Sequence, residues 1–381
     1  MKRVFIISCA VLVTCLSFYF RKTSEKPSET SSFLTEIPSE IKLSKVDFTQ
    51  LIGFETDEVL QALPALRKSC SVLKKKYRQW RNVCDGLENS FESDQKLRTF
   101  IKKNFQPYAV NKGQKGLFTG YYEPEIEGSL VRTRGYGTPV YGLPQDIVRI
   151  DLGKFDPKYK GVMLFGKQEG KEITPYLTRR EIETGKTKVP ADIIAWVKEP
   201  VDLFILQIQG SGILTLPDGN KIGIGYDGNN GHRFTGIGSV MAKKGLLKKG
   251  VYTMSEIRDW LIANPNQAKE MMHENKRYIF FKKLDKPGAI GAMGVSLTAG
   301  RSLAVDPAYI PLGSFLWLQA DHNKTSLNRL MTAQDTGSAI KGVVRGDFFW
   351  GTGTQALKEA GCMRSQGTYF LLLPKGAYQN E

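Results

Sequence analysis

Residues 291–314 read GAMGVSLTAGRSLAVDPAYIPLGS, and after a polar gap residues 331–353 read MTAQDTGSAIKGVVRGDFFWGTG. Short apolar runs punctuated by glycine predict short strands of the kind that close into barrels. Three aspartates, Asp306, Asp335 and Asp347, are set into these runs. A carboxylate among Val, Ala, Ile and Phe faces desolvation, which raises its pKa and lets it hold a proton near neutral pH. That is what a general acid requires. His322, the histidine nearest to them, falls in the gap Asp321-His322-Asn323-Lys324, which reads as a turn. The segment therefore points to carboxylate acid–base chemistry, whose common uses are glycoside cleavage and aspartic proteolysis.

The β texture begins at Gly116 and includes turn pairs such as Asp218-Gly219 and Asn230-Gly231. Its clearest run, Leu203 to Gln209, predicts a strand that begins behind Asp202 and stops at Gly210. Ahead of it, Leu60, Leu63, Leu66 and Val72 fall near helical spacing, and a second helix is predicted over Asp94 to Asn104 with Ser93 as its N-cap. A helical interlude is expected from Ser255 to His273. Residues from Arg21 to Ser44 are rich in Ser, Thr, Glu, Lys and Pro and read as a tether.

Composition bounds the rest. At 381 residues the chain holds one large domain or two ordinary ones. Its net charge of +16 favours polyanionic partners: nucleic acid, acidic headgroups or an anionic wall polymer. Lys2 and Arg3 precede an apolar run from Val4 to Phe20, closed by Arg21 and Lys22, which is the pattern of an export signal or short anchor. Export argues against a nucleic-acid role, as does the lack of a reading motif. Cys15, behind Leu12-Val13-Thr14, approximates a lipoprotein cleavage site, so lipidation and an uncleaved anchor both stay open. Cys70, Cys84 and Cys362 remain; Cys70 and Cys84 either bridge or stay as buried thiols. With no CxxC and three histidines, no metal or cofactor is expected.

Ordered motifs sharpen this. They are Leu117-Phe118-Thr119-Gly120-Tyr121-Tyr122-Glu123-Pro124, Thr138-Pro139-Val140-Tyr141, Asp202 with Gln207-Ile208-Gln209-Gly210-Ser211-Gly212, Tyr278-Ile279-Phe280-Phe281 and Leu297-Thr298-Ala299-Gly300-Arg301-Ser302. Together with the three aspartates they resemble the membrane-bound lytic murein transglycosylase A family. The resemblance implies a mainly β fold in two parts: a double-psi β-barrel with flanking helices (residues 46–122 and 282–381) and an inserted, smaller β-barrel-like domain (123–281). A signal or anchor (1–22) and a tether (23–45) would precede them. It also implies cleavage between N-acetylmuramic acid and N-acetylglucosamine in the groove between the domains, closing a 1,6-anhydro ring without water. Because the substrate's own hydroxyl attacks, one carboxyl group suffices as acid and then base.

On motif position that group is Asp347, with Asp335 positioning or polarising it. Phe348, Phe349 and Trp350 would supply apolar surroundings, and Trp350 a face for sugar stacking. Tyr121, Tyr122, Gln207, Gln209 and Ser211 suit sugar hydroxyls and N-acetyl groups. Asp202 would face the groove from the inserted domain, and Arg301 would pair with a substrate carboxylate or an internal acid. Asp306, ahead of Pro307, is a further catalytic candidate, although an aspartate before proline more often fixes a turn. The chain departs from the family pattern at Arg233-Phe234, where proline and tyrosine are expected. The expected partners are a peptidoglycan strand and, through the N-terminus, a membrane; the exported chain would be a periplasmic monomer, open to docking on other wall enzymes. The rivals are a non-catalytic glycan-binding barrel and a water-using glycosidase built on Asp335 and Asp347. An aspartic protease would need two DTG triplets, and the chain has one.

Overall fold

The computed structural model describes residues 33–248, 252–285 and 288–376. The N-terminal apolar run and Cys15 lie outside them. Among the described residues no helix is long and apolar enough to cross a membrane.

In chain order the elements are β1 (Leu43–Lys45), α1 (Leu63–Lys76), α2 (Arg81–Leu87), α3 (Asp94–Asn104), β2 (Phe105–Val110), β3 (Gly116–Glu123), β4 (Glu125–Ser129), β5 (Thr138–Tyr141), β6 (Ile147–Asp151), β7 (Met163–Glu169), β8 (Glu172–Pro175), α4 (Arg179–Thr184) and β9 (Ile193–Val197). There follow α5 (Pro200–Gln209), β10 (Ser211–Thr215), β11 (Lys221–Asn229), α6 (Ile237–Lys243), α7 (Met254–Ala263), α8 (Pro265–His273), β12 (Ile279–Leu284), β13 (Ser302–Val305), β14 (Phe315–His322), β15 (Thr325–Asp335), β16 (Arg345–Thr352), α9 (Gly353–Cys362) and β17 (Arg364–Pro374). With this many helices the fold is mixed α/β, not mainly β.

Six strands close a barrel in the order β17-β14-β15-β13-β16-β3, with β3 pairing back onto β17. Two of its ladders are parallel, β13–β15 and β3–β16. The β14–β15 hairpin turns through Asn323 and Lys324, both at positive φ, a two-residue turn whose twist matches the strands. Phe118, Leu303, Val305 and Phe348 join one core. In β14, Phe315, Leu316, Trp317 and Leu318 are all buried because both faces are covered. Phe54 and Trp80 pack edge-on against Trp317 and Phe315 from the side of the N-terminal helices.

Those helices are pinned. The Ser93 hydroxyl accepts from the Lys96 amide to cap α3, and Cys70 and Cys84 form a disulfide between α1 and α2. Cys362 is free and exposed. The tether ends earlier than composition suggests. Phe33, Ile41 and Leu43 are buried in the barrel core, and β1 pairs with β2. A few well-placed apolar residues outweigh the polar composition around them.

The segment between β3 and β13 builds a second sheet, ordered β12-β11-β10-β4-β9-β5, and a three-stranded sheet, β6-β7-β8. No hydrogen-bonded ladder joins β12 to β5 among the described residues, although these two edge strands lie against each other. Leu203 to Gln209 is helix, not strand. Pro200 and Glu199 start α5, and Gly210 ends it in the left-handed region at φ 86°. Val201, Phe204 and Ile205 pack on the helices, and Leu203 and Leu206 on the sheet. Burial on both sides yields a continuous apolar run, a pattern that periodicity cannot distinguish from a buried strand.

Candidate active site

Side chains alternate along β3 and β16, and this alternation selects the site. Asp347 and Phe349 share one face of β16, while Phe348 and Trp350 share the other. Across the parallel ladder Asp347 pairs with Thr119 and Phe349 with Tyr121. The opposite face carries Phe118 and Phe348 into the core. On the antiparallel side Asp347 pairs with Ala304 of β13, and Ala304 pairs in turn with Asp335 of β15. A register shift between Leu303 and Ala304 leaves Gln334 as the extra residue on β15 and brings Asp335 into the row. Gln334 is held from below: its Nε2 donates to Ala65 O at 2.9 Å and Ser69 Oγ at 3.0 Å, and its Oε1 accepts from Ser302 Oγ at 2.6 Å.

The two carboxyl groups differ in their partners. Asp347 Oδ1 accepts from the Thr119 hydroxyl, and Thr119 Oγ1 accepts from Arg345 Nη2 at 2.8 Å. The arginine uses the acceptor side of the hydroxyl, so its single proton is directed at Asp347. Among the described residues no protein donor reaches Oδ2, which leaves that oxygen to carry an exchangeable proton. Burial pushes the Asp347 pKa up to about 6; Thr119 and Arg345 pull it down, and the Asp335 charge adds a smaller upward push.

Asp335 is fully dressed. Its Oδ1 accepts from the Ala292 and Thr336 amides, each at 2.9 Å, and its Oδ2 accepts from Tyr121 OH at 2.9 Å. Burial raises its pKa, while the three donors act in the opposite sense. It does not hydrogen-bond Asp347, as a directly positioning group would. Its influence reaches Asp347 through charge, and it holds the Tyr121 phenol, whose own pKa is driven well above the usual value by burial and by both aspartates.

Several expected ligand contacts turn elsewhere. Tyr122 alternates to the other face from Tyr121 and packs on Ala356 and Ala360 of α9. Trp350 lies on that face too, with its ring 4.6 Å from Phe348 and 4.9 Å from His322, so it offers no stacking surface beside Asp347. Gly120 makes room for it, because a Cβ there would meet the Trp350 Nε1 at 2.6 Å. Arg301 is 2% exposed and grips Asp57 through Nη1 and Nη2 at 2.7 and 2.9 Å, so the internal acid is its partner and no fork remains for substrate. Gln207 is buried between Arg179 Nη1 and Ile279 O. Asp202 sits in the first turn of α5 and binds Arg258 Nε and Nη2 at 2.7 and 3.2 Å. Gln209 Oε1 accepts from the Tyr122 amide at 3.2 Å, joining α5 to β3, and Ser211 opens β10 half-buried beside it. Asp306 receives the Ala308 and Gly342 amides, as a turn residue does.

Thr119 and Arg345 carry little chemical signal of their own in the sequence, although each stands two residues from a candidate site residue, Tyr121 and Asp347. The same-face rule for strands would have found them. Glu123 is a further omission. It is 1% exposed, and burial lifts its pKa to about 7, with the Ala289 backbone amide acting in the opposite sense. Among the described residues no three His, Cys, Asp or Glu side chains gather as a metal site.

A partly desolvated acid, oriented on one oxygen and open on the other, beside a second carboxylate on a closed barrel, offers the groups that carboxylate acid–base chemistry requires. Comparison with known proteins gives the family. The MltA specific insert domain matches residues 117–282 and the 3D domain residues 301–373. MltA from Neisseria gonorrhoeae is 34% identical with a TM-score of 0.78, covering 89% of this chain and 94% of that one. The membrane-bound lytic murein transglycosylase A of Escherichia coli (strain K12) is 30% identical over 264 residues, which span 67% of this chain and 65% of that protein. The E. coli MltA structure with bound chitohexaose shares the fold at 23% identity and a TM-score of 0.64, covering 92% of this chain and 96% of that one. The chain belongs to the membrane-bound lytic murein transglycosylase A family.

Proposed function

We propose that this protein cleaves the β-1,4 bond between N-acetylmuramic acid and N-acetylglucosamine in peptidoglycan, with Asp347 as the single acid and base. The observation that carries this is the Arg345–Thr119–Asp347 chain, which ties Oδ1 and leaves a protonated Oδ2 free at mildly acid pH. Asp347 gives its proton to the glycosidic oxygen as the bond from that oxygen to the muramic C1 breaks. The muramic C6 hydroxyl then bonds to C1, and its proton returns to Asp347. The acid is regenerated, no water is consumed, and the product ends in a 1,6-anhydro ring. Positive charge at C1 builds near Asp335, whose carboxylate would stabilise it.

A water-using mechanism would need Asp335 as base, and both of its oxygens are already engaged by three donors. Residues 46–122 and 282–381 would form the barrel domain and 123–281 the insert, and the two parallel ladders favour a double-psi barrel. The groove between the domains would take the glycan strand, with Tyr121, Gln209 and Ser211 reaching it. The N-terminal run would hold the protein to a membrane on the periplasmic side.

The test is mass spectrometry of muropeptides released from purified peptidoglycan, with Asp347→Asn as control. Anhydromuramyl ends lost in the variant are the expected result. Reducing ends would assign a hydrolase, and no release by folded wild-type protein would leave a binding module.

A further inference from the structure

The three-stranded sheet of the insert carries an apolar face on which Leu164 and Ile173 stand exposed. Ile150 pairs with Leu164, and Gln168 with Ile173, so these apolar side chains fall on one face of the sheet together with Val148. Leu164 and Ile173 are 48% and 45% exposed. The other face is the packed one: Ile147 joins the cluster around Tyr176 and Phe280, and Phe165 lies against Gly231. Beyond the β6 and β7 ends the connecting turns add Phe155 at 79% exposure, with Tyr159 and Val162 also exposed. Single exposed apolar residues need no explanation, but a sheet face continued by an aromatic tip does.

Charge selects the occupant. The loop between β6 and β7 places Lys154, Lys158 and Lys160 against one acid, Asp156, which pairs with Lys158 at 2.9 Å. Lys158 also lies over the Tyr159 ring, 4.7 Å from its centre. Aromatic and aliphatic tips ringed by lysine are the composition of segments that settle into a membrane interface, where rings enter the headgroup layer and ammonium groups meet lipid phosphates. A two-fold contact with a second copy would bring Lys154 and Lys160 against themselves.

We propose that the β6–β8 sheet and its tip form a second membrane contact, directed at anionic lipid and separate from the N-terminal run. It is independent of the reaction assigned to Asp347. With two points of attachment the barrel and insert would meet the bilayer in a fixed orientation.

Because the N-terminal run can hold the full chain on any vesicle, the readout must be local to the tip. Phe155→Trp in the full chain is mixed with acyl-brominated vesicles of phosphatidylglycerol and phosphatidylethanolamine, or of phosphatidylcholine alone. Wild-type emission from the five native tryptophans is subtracted. The expected result is a blue shift and quenching of the introduced indole, about twofold stronger on the anionic vesicles and lost on adding Lys154→Glu and Lys160→Glu. Emission unchanged by lipid, or equal on both vesicles, would overturn the proposal. So would a shift that follows protein concentration or added peptidoglycan in place of lipid, since the occupant would then be a second copy or a glycan.

Discussion

Asp335 and Asp347 are cross-strand partners of the same residue, Ala304, one through a parallel ladder and the other through an antiparallel one. Their backbones therefore lie two strand spacings apart, roughly 10 Å. The residue between them is a small one, Ala304, itself buried at 3% exposure. They are close enough for the Asp335 charge to raise the Asp347 pKa, yet they share no proton. That separates them from a carboxyl dyad and supports different roles for the two acids.

The first consequence is a pH profile. In the proposed mechanism cleavage needs Asp347 protonated, and burial pushes its pKa up to about 6. The rate should fall above that pH, by about tenfold per unit once the group is mostly ionised. A rate flat from acid to alkaline pH would remove Asp347 from the role of acid.

Stability should follow the same group with a definite sign. The folded pKa lies above the ordinary value of 3.8, so the native state holds the proton more tightly. The contribution is fully present below pH 3.8 and is lost as pH rises through about 6. Asp347→Asn should therefore be more stable than wild type at pH 8, on the order of 2 kcal/mol after allowance for partial solvation, and equal to it near pH 4. Urea unfolding at the two pH values measures the difference.

Thr119→Val tests the orientation of the acid. The hydroxyl donates to Asp347 and lowers its pKa, so its loss should move the falling limb of the pH profile upward. It also frees Oδ1 to rotate, and turnover at the optimum should drop about tenfold. An unmoved limb would mean that the hydroxyl does not contact the ionised form.

Arg301→Gln separates a structural arginine from a substrate-binding one. Breaking its buried pair with Asp57 should cost about 3–5 kcal/mol of stability. At a temperature where the variant stays folded, KM should be unchanged. A raised KM without loss of Tm would return Arg301 to the ligand.

Reduction of Cys70–Cys84 opens a link across 14 residues. In the chain-entropy account such a loop contributes about 3 kcal/mol. Thermal melts with and without reductant should show the drop, and a Cys70→Ser, Cys84→Ser variant should show it without reductant.

Strand alternation explains why the site was only partly legible. Asp347, Asp335 and Tyr121 stood out because carboxylates and tyrosine in apolar strand frames carry a chemical signal in one dimension. The neighbours Tyr121 and Tyr122 could not both face one side, yet their shared motif suggested a shared role. Trp350 follows the same rule, since an aromatic near an acid in the chain lies on the other face when the spacing is odd. Gln207 and Asp202 read as belonging to a strand that is in fact helix; Pro200 is the signal of its start, while Gly210 ends a helix as readily as a strand. Arg301 reads equally as a ligand or as the partner of an internal acid until Asp57, far away in the chain, is brought against it.

By itself the chain determined a β-rich barrel segment, the acids embedded in it, helices at α1 and α3, and a family resemblance written in ordered motifs. Those are local properties: propensity, glycine punctuation and the chemistry of a side chain among its immediate neighbours. The tertiary structure alone decided which acid keeps a free oxygen and which is saturated with donors. That outcome rests on one extra residue, Gln334, anchored to α1, which turns Asp335 into the row of Asp347. Register between strands distant in sequence is set by packing of the whole barrel, and no local pattern encodes it.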